Sequence, residues 1–168
     1  MNEVVLVDRQ DRPTGTLEKL EAHRQGVLHR AISVFVFNTK GELMLQRRAQ
    51  GKYHSEGLWT NTCCSHPYPG ESAGDAAKRR VKEEMGLDID PVFSHSFVYK
   101  GQLDKGLTEF EYDHVFTAIT DALPAPDPAE ASEWKFISMS DLRSDAKLNP
   151  GVYTLWLRII LEDPSFRF

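Results

Sequence analysis

The sequence predicts one α/β domain of the α+β kind across residues 1–168, and three observations predict it. Apolar, β-branched and aromatic segments of strand length recur at residues 31–37, 91–100 and 109–119, whereas Ala77, Val81 and Met85 recur at the i, i+4, i+8 spacing of a helix. The 168 residues are 40% hydrophobic and 27% charged, enough for one buried core and a squeeze for two. With a net charge of −5, a pI near 5.7 and no Lys/Arg block, broad nucleic-acid or anionic-membrane binding is not expected, so local basic residues must carry any anion binding. No window approaches the roughly 18 apolar residues of a membrane span, and the N-terminal segment from Met1 lacks a basic region followed by a long apolar run. The cytoplasm is the expected compartment.

In chain order, residues 4–7 form a short apolar strand, ended by the turn cluster Asp11-Arg12-Pro13-Thr14-Gly15. Leu17 and Leu20 sit at helical spacing before Gly26, which predicts a short helix over residues 17–24. The strand at 31–37, the turn Asn38-Thr39-Lys40-Gly41 and the strand at 42–47 predict a hairpin. A polar loop over 49–57 carries Lys52. Ser72 with Asp75 resembles a capping arrangement and Gly86 suits a C-terminal cap, predicting a helix of about 13 residues. Strands at 91–100 and 109–119 follow, the second placing Glu109 and Glu111 on one face. Residues 122–132, with Pro124, Pro126 and Pro128, predict an extended connector. A late strand at 133–137, a short helix starting at Ser140, and a helix after Asn149-Pro150 carrying Val152, Leu155, Trp156 and Ile159 complete the chain.

The stretch Asn61-Thr62-Cys63-Cys64-Ser65-His66-Pro67 holds both cysteines of the chain. Neighbouring Cα atoms lie about 3.8 Å apart, too close for the roughly 4.4–6.8 Å of an ordinary disulfide, so the pair reads as thiols. In a strand-like segment the two face opposite ways: one packs and the other meets any site. His23 and His29 flank Gly26, His66 follows the thiols, and Glu109 and Glu111 share a strand face. Three neutral imidazoles and two carboxylates would neutralise a divalent cation and leave one octahedral position open, suiting Zn, Mn, Fe or Mg rather than Cu(I). Surface histidines and a solvated strand face fit the same spacings, none of which matches H-E-x-x-H. Arg80 and Glu84, four apart on the helix, read either as a surface ion pair or as a site in which Glu84 meets a second cation and Arg80 an anion. Arg47, Arg48, Lys52 and Lys19 are further donors for a phosphate or diphosphate. Because Arg47 and Arg48 point to opposite faces, at most one serves directly.

Residues 65–87 resemble the Nudix signature: Glu71 holds its first acidic position, and Arg79-Arg80-Val81-Lys82-Glu83-Glu84-Met85-Gly86-Leu87 mirrors its core. Ser65 replaces the leading Gly and Arg80 a metal-binding Glu. These departures, with Thr60-Asn61-Thr62-Cys63-Cys64-Ser65-His66-Pro67 just ahead, resemble the type 1 isopentenyl-diphosphate delta-isomerases, Nudix-fold enzymes that interconvert isopentenyl and dimethylallyl diphosphate. The resemblance implies a Nudix-like mixed β-sheet sandwiched between helices. It implies Cys64 as the catalytic thiol, Glu111 and Tyr99 as its acid/base counterparts, and His23, His29, His66, Glu109 and Glu111 as the set for one tightly bound divalent metal (Mn, Zn or Mg). It further implies Glu84 on a second Mg²⁺ that arrives with the substrate diphosphate, and Lys19, Arg48, Lys52 and Arg80 on the diphosphate itself. Pro150 is followed by Gly151 where the family carries a tryptophan, which leaves Tyr153 or Trp156 to face a cationic intermediate.

The expected chemistry is proton delivery by Glu111, assisted by Tyr99, and proton removal by Cys64 as thiolate, through a tertiary carbocation. The partner is a small isoprenoid diphosphate, feeding isoprenoid synthesis. Two other functions share the fold: a Nudix diphosphate hydrolase, which Arg80 deprives of one acid, and a non-catalytic diphosphate sensor, which has no use for a thiol beside a metal.

Overall fold

A computed structural model describes residues 2–168; Met1, where the N-terminal segment read above begins, lies outside them. The chain runs β1 (Glu3–Val7), β2 (Pro13–Glu18), α1 (Lys19–Gln25), β3 (His29–Phe37), β4 (Glu42–Arg48), β5 (Trp59–Thr60), β6 (Cys63–Ser65), α2 (Ala73–Met85), β7 (Val92–Gln102), β8 (Thr108–Ile119), β9 (Ala131–Ser138), α3 (Met139–Leu148) and α4 (Leu155–Glu162), with 3₁₀ turns at Asp104–Gly106 and Pro150–Val152.

The strands form one mixed sheet around β3. β3 runs parallel to β8 from His29↔Glu111 to Phe37↔Ile119, and antiparallel to β6 through Ile32↔Ser65, Ser33↔Cys64 and Val34↔Cys63. One strand therefore sets both halves of the chemistry, placing His29 beside Glu111 and Ser33 beside Cys64. From Ala31 to Phe37 β3 is apolar except for Ser33, because both its faces are covered. Ile32, Val34 and Val36 pack with Ala76, Ala77, Val81 and Met85 of α2 on one side. On the other, Phe35 and Phe37 pack with Leu142 and Ala146 of α3 and Leu157, Ile160 and Leu161 of α4. The expected sandwich of a mixed sheet between helices is the observed architecture.

The α2 boundaries follow the expected chemistry. Ser72 Oγ accepts from Asp75 N, and Gly86 closes the helix at φ 67°, a left-handed value that a side chain rarely adopts.

Elsewhere the structure departs from the sequence reading. The turn expected over 11–15 is shorter: strand β2 begins inside it at Pro13, on an edge paired only with β1, where a missing N–H costs nothing. The short helix accordingly begins at Lys19, two residues later than expected. The hairpin turn is correct, but β3 and β4 pair only at Phe37↔Leu43 and then part. The Thr62 hydroxyl fills the gap, accepting from Val36 N at 2.9 Å and donating to Met44 O at 2.6 Å. Side-chain hydrogen bonds thus replace ladder bonds and pin the cysteine segment between two core strands. β4 pairs with β9 and β5 instead. Helix α3 is capped by Ser138, not begun at Ser140: the Ser138 hydroxyl accepts from Asp141 N. The last helix begins at Leu155, because Tyr153 and Thr154 are extended, Thr154 N donating to Trp59 O at 2.9 Å. That pairing with β5 places Trp156 in the first turn of α4, next to the thiol.

Candidate active site

Three walls surround one pocket: the end of α1 and its following loop, the β6 segment, and the start of β8. His23 and His29 are fully buried, which excludes the surface reading. His23 Nδ1 lies 2.7 Å from Lys19 O, and His29 Nδ1 lies 2.9 Å from Val27 O. A carbonyl only accepts, so each Nδ1 carries the proton and each Nε2 presents a lone pair. Both Nε2 atoms are buried with no partner. A buried polar atom left unpaired costs about 1–3 kcal/mol, and an imidazole oriented through its Nδ1–H by a carbonyl is the arrangement found behind metal ligands. His66 Nε2 lies 3.1 Å from Glu111 Oε1, and His29 Nε2 lies 3.5 Å from the same oxygen. The donor atoms of His23, His29, His66 and Glu111 all fall within 4.8 Å of one another, a cluster that fits a divalent ion. Burial drives His23 and His66 towards the neutral form a metal requires, His66 down to about 3.

Glu109 belongs to a second, overlapping cluster, with His23 and His54. The Tyr99 hydroxyl lies 2.7 Å from Glu111 Oε2 and 3.0 Å from Glu109 Oε2, tying the carboxylates together from behind. The two carboxyls divide their charge. Burial and the Glu111 charge push Glu109 well up, whereas burial of Glu111 is outweighed by the His29 and His66 imidazoles beside its Oε1, which hold it well down.

On the β6 wall, Cys63 is fully buried in the α2 core and Cys64 faces the pocket, as the alternation of a strand requires. The Cys64 thiol donates to Asn61 Oδ1 at 2.9 Å and accepts from Trp156 Nε1 at 3.0 Å. Ser33 Oγ, 4.0 Å from the sulfur, donates to Asp113 Oδ2 at 2.7 Å. Burial, with the Asp113 and Glu84 carboxyls behind it, pushes the Cys64 thiol far up. That shift favours the S–H form while the pocket is closed. Of the two aromatics proposed to face a cation, Trp156 lines the pocket and Tyr153 does not: the Tyr153 hydroxyl turns away to Asp145.

The pocket opens outward into a cavity of about 170 Å³ lined by Lys19, Arg48, Lys52, Arg80 and Glu130. Arg79 lines it too but is held by Glu71, and the other four cations around one small space point to a multiply charged anion. Arg48 is buried and lines the pocket, while Arg47 faces out to the Gly57 carbonyl and Glu133. Crowding by burial and by Lys52 and Arg80 lowers the Lys19 pKa. Glu84 is 3% exposed, not a surface residue; it accepts from Arg80 Nη2 at 2.7 Å and from Gln46 Nε2 at 2.8 Å. Arg48, Tyr53, Cys64, Ser65 and His66 line both this cavity and an inner pocket of about 30 Å³ that also touches Tyr99, Glu109, Glu111 and Trp156. That inner volume holds roughly one or two waters, so a five-carbon chain enters only as these side chains part.

The sequence reading missed His54, Tyr53, Asn61, Asp113 and Glu130. His54 lies two residues beyond Lys52, in a loop already expected to reach the site. Glu130, which joins Lys52 at 2.5 Å and Arg80 at 3.3 Å, sits in the connector, where no periodicity marks it.

Residues 27–157 match the NUDIX domain family. A crystal structure of a Deinococcus radiodurans protein superposes with a TM-score of 0.78 over 95% of this chain and 96% of that one, at 20% identity, which reports on the fold alone. Isopentenyl-diphosphate Delta-isomerase 2 of Aromatoleum aromaticum is 49% identical over 161 residues, covering 96% of this chain and 85% of the relative. The isopentenyl-diphosphate Delta-isomerase of Pectobacterium atrosepticum is 48% identical, covering 95% and 89%. A Nudix-fold chain whose thiol, histidine–carboxylate cluster and cationic cavity meet at one pocket, and which shares nearly half its residues with such relatives over nearly its whole length, belongs to the isopentenyl-diphosphate delta-isomerase family.

Proposed function

We propose that this chain, acting as one domain over residues 1–168, interconverts isopentenyl diphosphate and dimethylallyl diphosphate. The observation that carries the proposal is that Cys64, Tyr99 and Glu111 line one inner pocket that opens onto the cationic cavity. Moving a double bond by one carbon needs a proton added at one end of the allylic system and another removed at the opposite end. Lys19, Arg48, Lys52 and Arg80 hold the diphosphate in the outer cavity, and Glu84 reaches the Mg²⁺ that accompanies it by releasing Arg80 or Gln46, so the five-carbon chain points inward between acid and thiol. Glu111 delivers the proton, oriented by the Tyr99 hydroxyl, and leaves a tertiary carbocation. A divalent ion held by His23, His29, His66, Glu109 and Glu111 would supply positive charge that draws electron density from the Glu111 carboxyl and makes it a stronger acid. The Trp156 ring faces the cation, an interaction worth about 0.5–2 kcal/mol.

Cys64 removes the second proton. The resting combination of Cys64 as thiol and Glu111 as carboxylate is primed for the reverse reaction, in which the thiol protonates dimethylallyl diphosphate. The forward reaction needs the proton moved, leaving Cys64 as a thiolate that the Trp156 N–H stabilises at 3.0 Å. Because burial makes that thiolate reluctant to form, it is a strong base once formed.

Among the described residues no helix is long and apolar enough to cross a membrane. With free cysteines, a net charge of −5 and a small diphosphate as partner, a cytoplasmic enzyme that binds neither nucleic acid nor membrane is the reading that fits. The donor set accommodates Mn²⁺, Zn²⁺ or Mg²⁺. A hydrolase reading is weaker, because Arg80 lies directly on Glu84 where a cluster of acids would activate water. Incubation with isopentenyl diphosphate and Mg²⁺ is expected to yield dimethylallyl diphosphate with no phosphate released; phosphate release without the isomer would replace this reading by the hydrolase one.

A further inference from the structure

We infer that Glu130 is an internal competitor for the diphosphate: its carboxylate bridges Lys52 and Arg80, two cations of the outer cavity, and the anion takes them over by displacing it. The inference rests on reading that cavity as the diphosphate site. Glu130 Oε2 accepts from Lys52 Nζ at 2.5 Å, and Glu130 Oε1 lies 3.3 Å from Arg80 Nη2. Each oxygen thus meets one cation, the arrangement that two oxygens of a phosphoryl group would take on the same pair. Burial favours the neutral acid, but the contacts from Lys52 and Arg80 outweigh it and hold the Glu130 carboxyl below its ordinary range.

The side chain can leave without the loop leaving. Glu130 N donates to Asp127 O at 2.9 Å, Glu130 O accepts from Ala49 N at 3.0 Å, and the next residue, Ala131, pairs with Arg48. The backbone is therefore fixed at the end of β9, and only the side-chain torsions of Glu130 need to turn.

The four cations of the cavity are not equally free. Arg80 is also held by Glu83 and Glu84, each at 2.7 Å, whereas Glu130 is the sole carboxylate on Lys52 among the described residues. Lys19 lies over the Tyr53 ring and Arg48 over the Trp156 ring, and neither is ion-paired among the described residues. An incoming diphosphate thus finds two cations open and two occupied. It cannot share the occupied pair with a carboxylate of its own sign, so the carboxylate leaves, and the competition runs mainly through Lys52. Glu130 thereby sets the affinity for diphosphate below what four open cations would give. Because affinity differences between related complexes lie mostly in dissociation, it also shortens the stay of the product.

Calorimetric titration of inorganic diphosphate, with and without Mg²⁺, into protein of matched metal content tests this. Glu130→Gln and Glu130→Ala are expected to bind it about 10-fold tighter than wild type in both conditions, the order of one released charge-assisted hydrogen bond. In a Lys52→Met background the gain from Glu130→Gln is expected to shrink below about 3-fold, because the contact it releases is already gone. Melting of each variant establishes that it folds. Folded Glu130→Gln or Glu130→Ala that binds inorganic diphosphate no tighter than wild type, or more weakly once Mg²⁺ is added, would make the carboxylate a support for the cations or for Mg²⁺ and overturn the inference. A full-sized gain in the Lys52→Met background would assign the effect to distant charge and overturn it as well. If neither wild type nor Glu130→Gln takes up inorganic diphosphate, the diphosphate reading of the cavity falls, and the inference with it.

Discussion

Cys64→Ala is expected to lower isomerase turnover by about 10²–10⁴-fold, the range over which a positioned acid/base group acts, while leaving diphosphate binding intact. The alanine removes the only sulfur that lines the pocket among the described residues, and the Cys64 side chain is one wall of the cavity, not one of its cations. Cys63→Ala is the matched control: Cys63 is fully buried against α2, so its loss costs stability through packing and leaves turnover per folded molecule near wild type. Kinetics of both variants, beside calorimetric titration with an unreactive diphosphate, separate the roles. Near-wild-type turnover in Cys64→Ala would remove the thiol from the mechanism.

Glu111→Gln is expected to have an effect of the same order, about 10²–10⁴-fold, because the amide keeps the oxygen and the shape but has no acidic proton to deliver. Glu111 Oε1 is also the atom shared by His29 and His66, so metal content must be measured in parallel. A variant that keeps its metal and loses turnover places the loss on proton transfer, and full activity in that metal-loaded variant would sink the assignment of Glu111 as the acid. Tyr99→Phe is informative beside it, since the Tyr99 hydroxyl touches both carboxyls and reaches no cation of the outer cavity.

What could be read from the sequence follows from how local each cause is. The caps of α2 are local, Ser72 and Gly86 each acting within a few residues, and both its ends were legible. Alternation along β8 was legible for the same reason: period-two side chains put Glu109 and Glu111 on one face whatever the strand pairs with. The parting of β3 from β4 was not, since it depends on a Thr62 hydroxyl arriving from 18 residues beyond Met44. His54 was missed because nothing in a Gly- and Ser-containing loop marks a histidine as buried; only the packing of Tyr53 and Trp156 does that. The protonation of Cys64 is not legible in the sequence for a related reason. A thiol's pKa is set by what surrounds it in space, here burial and the carboxyls of Asp113 and Glu84, which lie on β8 and α2. The family resemblance named the participants, and the structure supplied their neighbours.

The central claim is that two different groups handle the two protons, Glu111 adding one and Cys64 removing the other, each reset from solvent between turnovers. Conversion of isopentenyl diphosphate in deuterium oxide, followed by proton and deuterium magnetic resonance of the product, tests it most directly. The account predicts dimethylallyl diphosphate carrying solvent deuterium in its newly formed methyl group, with no deuterated product from Cys64→Ala or Glu111→Gln above their residual rates. Dimethylallyl diphosphate formed at the wild-type rate without deuterium in that methyl group would mean that one proton is passed directly from carbon to carbon, and would contradict it.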